Sequence, residues 1–218
     1  MILFIDTANL KEIEEAAKWG YVKGCTTNPS LIAKEGLTQK EVITKITKLI
    51  DGPISAEVTS EEYEGMIEQG KELFAIDPRH IVIKLPMTNN GLKAAQEFKR
   101  LGIPTNVTLC FSASQALLAM ESGATYISPF LGRLDDNGLD SMKLINDIMR
   151  IKKNYGYETK IIAASIRSVE HVQNCAASGA DIATVPFNVL SKLIMNPLTK
   201  DGLEKFREDA AKTAALTK

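Results

Sequence analysis

Cysteine is scarce in this chain. Its three copies, Cys25, Cys110 and Cys175, are widely separated, odd in number and in no CxxC arrangement, so they suggest neither a disulfide framework nor a zinc ribbon. Histidine is scarcer still, with only His80 and His171. A cysteine nucleophile needs a base partner, and the two histidines stand badly for that role. His80 stands at the N-terminal end of the run that contains Lys84, away from the end that carries the lysine, and His171 falls in a helical stretch beyond Arg167. Excess charge is missing as well: 26 basic against 27 acidic side chains leave no field that would draw nucleic acid or an anionic membrane. No apolar run approaches a membrane span. The run Ile2 to Ile5 after Met1 is too short for the core of a signal peptide and lacks a basic flank. A soluble chain in a reducing cytoplasm is the expectation. There is no GxGxxG and no GxxxxGK[ST], which removes the usual sign of a dinucleotide or P-loop site.

What is present is a repeat. Eight short apolar or β-branched runs, Ile2 to Asp6, Tyr21 to Cys25, Ile54 to Val58, Ile81 to Leu85, Thr105 to Leu109, Thr125 to Pro129, Lys160 to Ala164 and Asp181 to Val185, are each followed by an amphipathic stretch. The first two stripes show the helical spacing: Leu10, Ile13, Ala16 and Ala17, then Val42, Ile43, Ile46, Leu49 and Ile50. Gly102, Gly123 and Gly179 each stand between a stripe and the next run, where a left-handed residue ends a helix. Eight such units in 218 residues predict a single-domain (β/α)8 barrel over residues 1–218. An additional C-terminal helix, about 202–215, carries Leu203, Phe206, Ala210 and Ala214 at helical spacing, so one of its faces is expected to be covered.

Chemistry in such a barrel gathers at the C-terminal ends of the strands. The polar residues there are Asp6, the trio Thr26, Thr27 and Asn28, then Glu57, Lys84, Asn106, Thr108, Ser128, Ser165 and Arg167. Strand alternation puts Lys84 on a face with Val82, Glu57 with Ser55, Asn106 with Thr108, and Asp6 with Phe4. Lys84 interrupts an otherwise apolar strand, where an unpaired charge is costly. A structural ion pair with Asp6 or Glu57 is one explanation. The other is Schiff-base chemistry, in which a neutral amine attacks a ketone and the iminium then withdraws electrons from the adjacent carbon. That chemistry also needs groups that move protons, and Asp6 and Glu57 are available for it. His171 and Cys175, four apart, would share a helix face, but two ligands do not make a metal site and a packed face is the simpler reading.

Seven segments fall in order at predicted strand ends: Phe4-Ile5-Asp6-Thr7-Ala8-Asn9, Thr26-Thr27-Asn28-Pro29-Ser30-Leu31, Ala56-Glu57-Val58, Ile83-Lys84-Leu85-Pro86 followed by Gly91-Leu92, Asn106-Val107-Thr108, Ser128-Pro129-Phe130 with Arg133, and Ala164-Ser165-Ile166-Arg167. In these, along its whole length, the chain resembles the small, barrel-only transaldolases of the transaldolase and fructose 6-phosphate aldolase family. The resemblance implies transfer of a dihydroxyacetone unit between sugar phosphates, from sedoheptulose 7-phosphate or fructose 6-phosphate to glyceraldehyde 3-phosphate or erythrose 4-phosphate. The route would be a lysine Schiff base, as in the non-oxidative pentose phosphate pathway, with no metal or organic cofactor. It assigns the iminium to Lys84, proton transfer at the C4 hydroxyl to Asp6, and the exchanged water to Glu57 and Thr108. The dihydroxyacetone hydroxyls fall to Asn28, Asn106 and Ser128, and the phosphate to Arg133, Ser165 and Arg167. The related aldolase usually carries glutamine in place of Glu57 and tyrosine in place of Phe130, so this chain has the transferase residue at both positions. A non-catalytic barrel that only binds sugar phosphates would keep the arginines and lose catalytic groups, yet Asp6, Glu57, Lys84 and Thr108 are all present. Cys25 stands where the family more often has an aliphatic residue. In small transaldolases the C-terminal helix reaches a neighbouring subunit, which implies a homo-oligomer, a pentamer or decamer.

Overall fold

The computed structural model describes residues 1–215, and 216–218 of the predicted domain lie outside them. Eight parallel strands close into one barrel in sequence order. They are β1 (Ile2–Asp6), β2 (Val22–Thr26), β3 (Ile54–Glu57), β4 (Ile81–Pro86), β5 (Thr105–Cys110), β6 (Tyr126–Pro129), β7 (Lys160–Ala163) and β8 (Ile182–Val185). All eight predicted runs are strands, with ends displaced by a residue at most. The helices on the outside are α1 (Leu10–Lys18), α2 (Pro29–Ile32), α3 (Gln39–Ile46), α4 (Tyr63–Phe74), α5 (Asn89–Arg100), α6 (Ala113–Glu121), α7 (Leu131–Asp135), α8 (Ser141–Tyr155), α9 (Val169–Ala177), α10 (Phe187–Leu190) and α11 (Pro197–Ala215). None of the described helices is long and apolar enough to cross a membrane.

Local chemistry explains why each strand hands over to a helix. A short polar side chain accepts from the helix's first free N–H groups: Asn9 for α1, Thr38 for α3, Thr88 for α5, Ser112 for α6, Asp140 for α8 and Ser168 for α9. At the other end Gly102, Gly123 and Gly179 take φ of 71°, 78° and 83°, as their place before strands predicts.

Two apolar layers hold the barrel. Between strands and helices lie fully buried side chains such as Ile5, Ile43, Ile54, Ile83, Phe98 and Ile127. Each contributes about 1.5–3 kcal/mol relative to exposure. Inside, Phe4, Ile162 and Ile182 close the lower barrel with Tyr126 against them. Gly24 faces this layer, and a Cβ there would stand 2.5 Å from the Phe4 ring, so the absent side chain makes room for the phenyl group. Above this plug the inward positions turn polar. The strand register sets Glu57 beside Lys84 and Lys84 beside Asn106.

The C-terminal helix departs from expectation in extent. It starts at Pro197, five residues before Gly202, with Pro in the first turn where a missing N–H costs nothing and the Asn196 side chain accepting from Leu198 N–H. Its apolar face is not buried on its own barrel: Leu203 is 53% exposed and Phe206 71%. Ile194, Met195 and Leu198 extend the exposed patch, which is larger than isolated surface leucines would make.

Candidate active site

The Lys84 side chain is almost wholly buried. Its Nζ lies 2.9 Å from Glu57 Oε2 and donates to the Thr27 carbonyl at 3.1 Å. The counterion is thus Glu57, on the neighbouring strand, of the two carboxylates that could have served. A paired ammonium answers the cost of burying the charge, and it also puts a proton acceptor in contact with the amine.

Asp6 ends β1 and is held by a chain of hydroxyls. Thr26 Oγ1 donates to Asp6 Oδ1 at 2.7 Å, and its other contact, at 2.6 Å, is Thr184 Oγ1. Because Thr26 has one hydroxyl proton and spends it on the carboxylate, Thr184 must donate to Thr26. Burial pushes the Asp6 carboxyl above the usual carboxylate range, against the opposing pull of Lys84, Thr26 and Arg167. Such a group holds and returns a proton more readily than a surface aspartate.

Asn106 and Ser128 form a second polar set. Ser128 donates to Asn106 Oδ1 at 2.8 Å, and Asn106 Nδ2 donates to Ser55 at 3.1 Å, all within the barrel interior. Thr108 is fully buried, and its Oγ1 is the one buried side-chain oxygen or nitrogen among the described residues with no hydrogen-bond partner. A buried hydroxyl left open in this way suits a water or ligand oxygen. The next residue, Leu109, has φ 61°, where the β5–β6 register slips between Val107 and Cys110. A leucine in the left-handed region is strained, and here the strain accompanies the turn that follows Thr108.

The third set lies at the rim. Phe130 precedes α7, and Arg133 on α7 places its guanidinium carbon 5.3 Å from the Phe130 ring and 5.8 Å from Phe111. Arg167 Nη2 donates to Asp136 Oδ2 at 2.9 Å in a half-exposed pair. Ser165, between them, has φ 57°, and its carbonyl accepts from Gly132 N–H at 2.9 Å. A Cβ on Gly132 would stand 2.2 Å from that carbonyl, so the approach of the two segments requires glycine. Asn28 caps α2 through Oδ1 and accepts from Leu31 N–H at 2.9 Å.

One cavity of about 170 Å³ joins these groups. Asp6, Asn28, Lys84, Ser128, Phe130, Arg133, Ser165 and Arg167 line it. Glu57, Asn106 and Thr108 do not, and stand behind the lining against Lys84, against Ser128 and below the mouth. Thr26 and Thr184 also line the cavity. Thr26 was visible as a strand-end residue; Thr184 was not singled out, although it lies two residues after the inward Ile182 and is the polar residue of its strand.

The cysteines stand apart from this chemistry. Burial, with Asp6 nearby, drives the Cys25 thiol far above the usual range, and burial raises Cys110 to about 12, so neither forms a thiolate near neutrality. Cys175 is buried in the core, and both His171 ring nitrogens have partners within the protein. His80, at the opposite end of β4, is bound between Asp77 and Asp51.

A protein-family model described as "Transaldolase/Fructose-6-phosphate aldolase" matches residues 3–217. Curated relatives match over comparable lengths. A protein of Clostridium tetani named "Probable transaldolase" is 56% identical over 209 residues, covering 96% of this chain and 97% of its own. One of Bacillus cereus named "Probable transaldolase 1" is 56% identical over 213 residues, covering 98% and 99%. A "Probable transaldolase" of Cytophaga hutchinsonii is 52% identical over 216 residues, covering 97% and 99%.

Proposed function

Because this chain belongs to the transaldolase and fructose-6-phosphate aldolase family, we propose that it is a transaldolase moving a dihydroxyacetone unit from a ketose phosphate to an aldose phosphate through a Schiff base on Lys84. The observation that carries this reading is the contact between the buried Lys84 amine and Glu57 beside a cavity that Asp6 also lines. An amine becomes a nucleophile once it gives up a proton, and the carboxylate at 2.9 Å is placed to take it. The amine then adds to the ketose C2 carbonyl, and loss of water gives the iminium. Glu57, with the open hydroxyl of Thr108, handles that water.

In the cleavage step Asp6 takes the proton of the C4 hydroxyl. The C3–C4 bond breaks, its electron pair flows into the iminium, an aldose phosphate leaves and an enamine remains on Lys84. The enamine carbon attacks the aldehyde of the acceptor, Asp6 returns its proton to the new alkoxide, and water releases the ketose product. A carboxyl raised by burial fits a group that must both accept and return a proton. In this reading Asn28, Asn106 and Ser128 bind the hydroxyls of the three-carbon unit. Arg133, Ser165 and Arg167 bind the phosphate, for which planar guanidinium groups are suited.

Fructose 6-phosphate aldolase differs in releasing free dihydroxyacetone. Glu57 and Phe130 favour transfer, because a glutamine amide could not pass protons in place of Glu57. With fructose 6-phosphate as donor, turnover is expected to require erythrose 4-phosphate, because transfer to glyceraldehyde 3-phosphate, the aldose that cleavage itself releases, only regenerates the donor. Equal rates of aldose release with and without an acceptor would assign the chain to the aldolase instead.

We also propose that the chain is one barrel domain whose α11 joins it to further copies as a homo-oligomer, a pentamer or decamer, in the cytoplasm. The uncovered apolar face of α11 supports this. Light scattering is expected to give a multiple of the 23.9 kDa chain mass, and a monomer at micromolar concentration would refute it.

A further inference from the structure

His171 belongs to no step above, yet its imidazole joins the two segments that carry the rim arginines. Arg133 rides on α7. Arg167 rides on the loop between β7 and α9, which meets α7 through backbone bonds from Leu131 N–H to Ala164 O and from Gly132 N–H to Ser165 O, both 2.9 Å. His171 adds the side-chain link. Its Nδ1 accepts from the backbone N–H of Arg167 at 3.2 Å, and its Nε2 is 2.8 Å from Asp135 Oδ2, the last residue of α7. A backbone N–H can only donate, so Nδ1 is bare and the proton sits on Nε2, pointing at the carboxylate.

Both ends of this link are anchored. Asp135 accepts from Ser141 N–H at 3.2 Å and from Ser141 Oγ at 3.0 Å, and Ser141 is buried at the start of α8. The backbone of His171 is held by the Ser168 cap at 3.1 Å. Arg167 has little else to fix it: among the described residues its guanidinium ties to the half-exposed Asp136 alone, and the backbone leading to it passes through the left-handed Ser165. We propose that His171 is the positioning residue of the phosphate site, a strut whose Nδ1 bond to the Arg167 backbone N–H holds that arginine in place, with the Asp135 contact aiming the ring. The inference rests on the assignment of the phosphate to those arginines.

The test compares wild type with His171→Ala, His171→Asn and His171→Gln in the full-length protein. Asparagine carries an oxygen near the place of Nδ1 and can keep the bond to Arg167; glutamine reaches toward Asp135 and cannot. His171→Ala and His171→Gln are expected to raise KM for fructose 6-phosphate about tenfold, the loss of one hydrogen-bonded constraint. Inhibition by inorganic phosphate should weaken in parallel, with kcat little changed and borohydride trapping of unphosphorylated dihydroxyacetone on Lys84 undiminished. His171→Asn should recover most of the loss, and because it and His171→Gln keep a polar side chain of similar size, the comparison survives if the alanine variant folds poorly. A fall in kcat at constant KM, or asparagine no better than glutamine, would overturn the proposal. So would an unchanged KM in His171→Gln where Arg167→Ala raises it. If Arg133→Ala and Arg167→Ala both leave KM unmoved, the phosphate assignment itself fails and the strut falls with it.

Discussion

Lys84→Met is expected to lower transaldolase turnover by at least about 10⁴-fold, the scale seen when a covalent nucleophile is removed and binding is left intact. Methionine matches the lysine stem in length and fills the same space between β3 and β5. What disappears is the amine, and with it every later step. The variant should remain folded, because Glu57, left without its partner, keeps 15% of its side chain exposed and can be solvated or protonated. Circular dichroism and a melting curve check this. The covalent assignment is read directly by borohydride reduction in the presence of fructose 6-phosphate, followed by peptide mapping. Wild type should carry the reduced adduct on Lys84, and the variant none. Continued turnover by wild type with no adduct on that residue would refute the mechanism.

Asp6→Asn is expected to separate capture from cleavage. Asparagine is isosteric and still accepts from Thr26, but it cannot take the C4 hydroxyl proton, so turnover should fall by about 10²–10⁴-fold. The iminium still forms, and borohydride should now trap the intact six-carbon sugar instead of the three-carbon fragment. The same substitution is expected to raise the melting temperature at neutral pH. Burial raises the folded-state affinity of Asp6 for its proton, so its stabilising contribution is complete below the ordinary carboxylate value and is lost as pH rises through the higher folded value. At pH 7 the native protein bears the cost of that ionised group, and the asparagine variant does not. The stability gap should therefore close as the pH is lowered through the Asp6 titration. A gap independent of pH, or of opposite sign, would remove Asp6 from this role. For the same reason the acid limb of kcat/KM in the wild-type enzyme should lie above the range of an exposed aspartate.

A trade of stability for function of this kind is common where a site needs a group that the fold alone would leave out. Here it is confined to the upper barrel. Below the Lys84 layer the interior is apolar apart from Ser55, and the hydroxyls of Thr26 and Thr184 are what make an ionisable carboxyl tolerable above it.

Much of this was legible in the sequence because barrel geometry follows from local rules. Strand runs alternate with amphipathic stripes, the glycines before strands need positive φ, and a period of two separates inward from outward residues, so the residues at strand ends can be named without coordinates. Lys84, Asp6 and Asn106 were visible as polar interruptions of apolar strands. Arg133 and Phe130 lie beyond a strand end, and the resemblance, not periodicity, brought them forward.

Tertiary structure decided what depends on distance between strands. Which carboxylate pairs with Lys84 follows from the β3–β4 register, and the sequence left Asp6 and Glu57 equally eligible. Thr184 reaches Thr26 only because β8 closes against β1, a contact 158 residues apart. For His171 and Cys175 helical spacing favoured a packed face over a metal pair but could not say what each side chain meets; in the fold the His171 ring turns to α7 and to the backbone of Arg167 while Cys175 turns to the core. The α11 stripe carried the opposite lesson, since periodicity states that a face is apolar but not what covers it, and one chain leaves Leu203 and Phe206 in the open. Sequence by itself determined the barrel and the ring of polar strand ends, for both are set by residues near in the chain. Partnership among those residues was decided by the closure of the barrel, which alone fixes how far apart they stand.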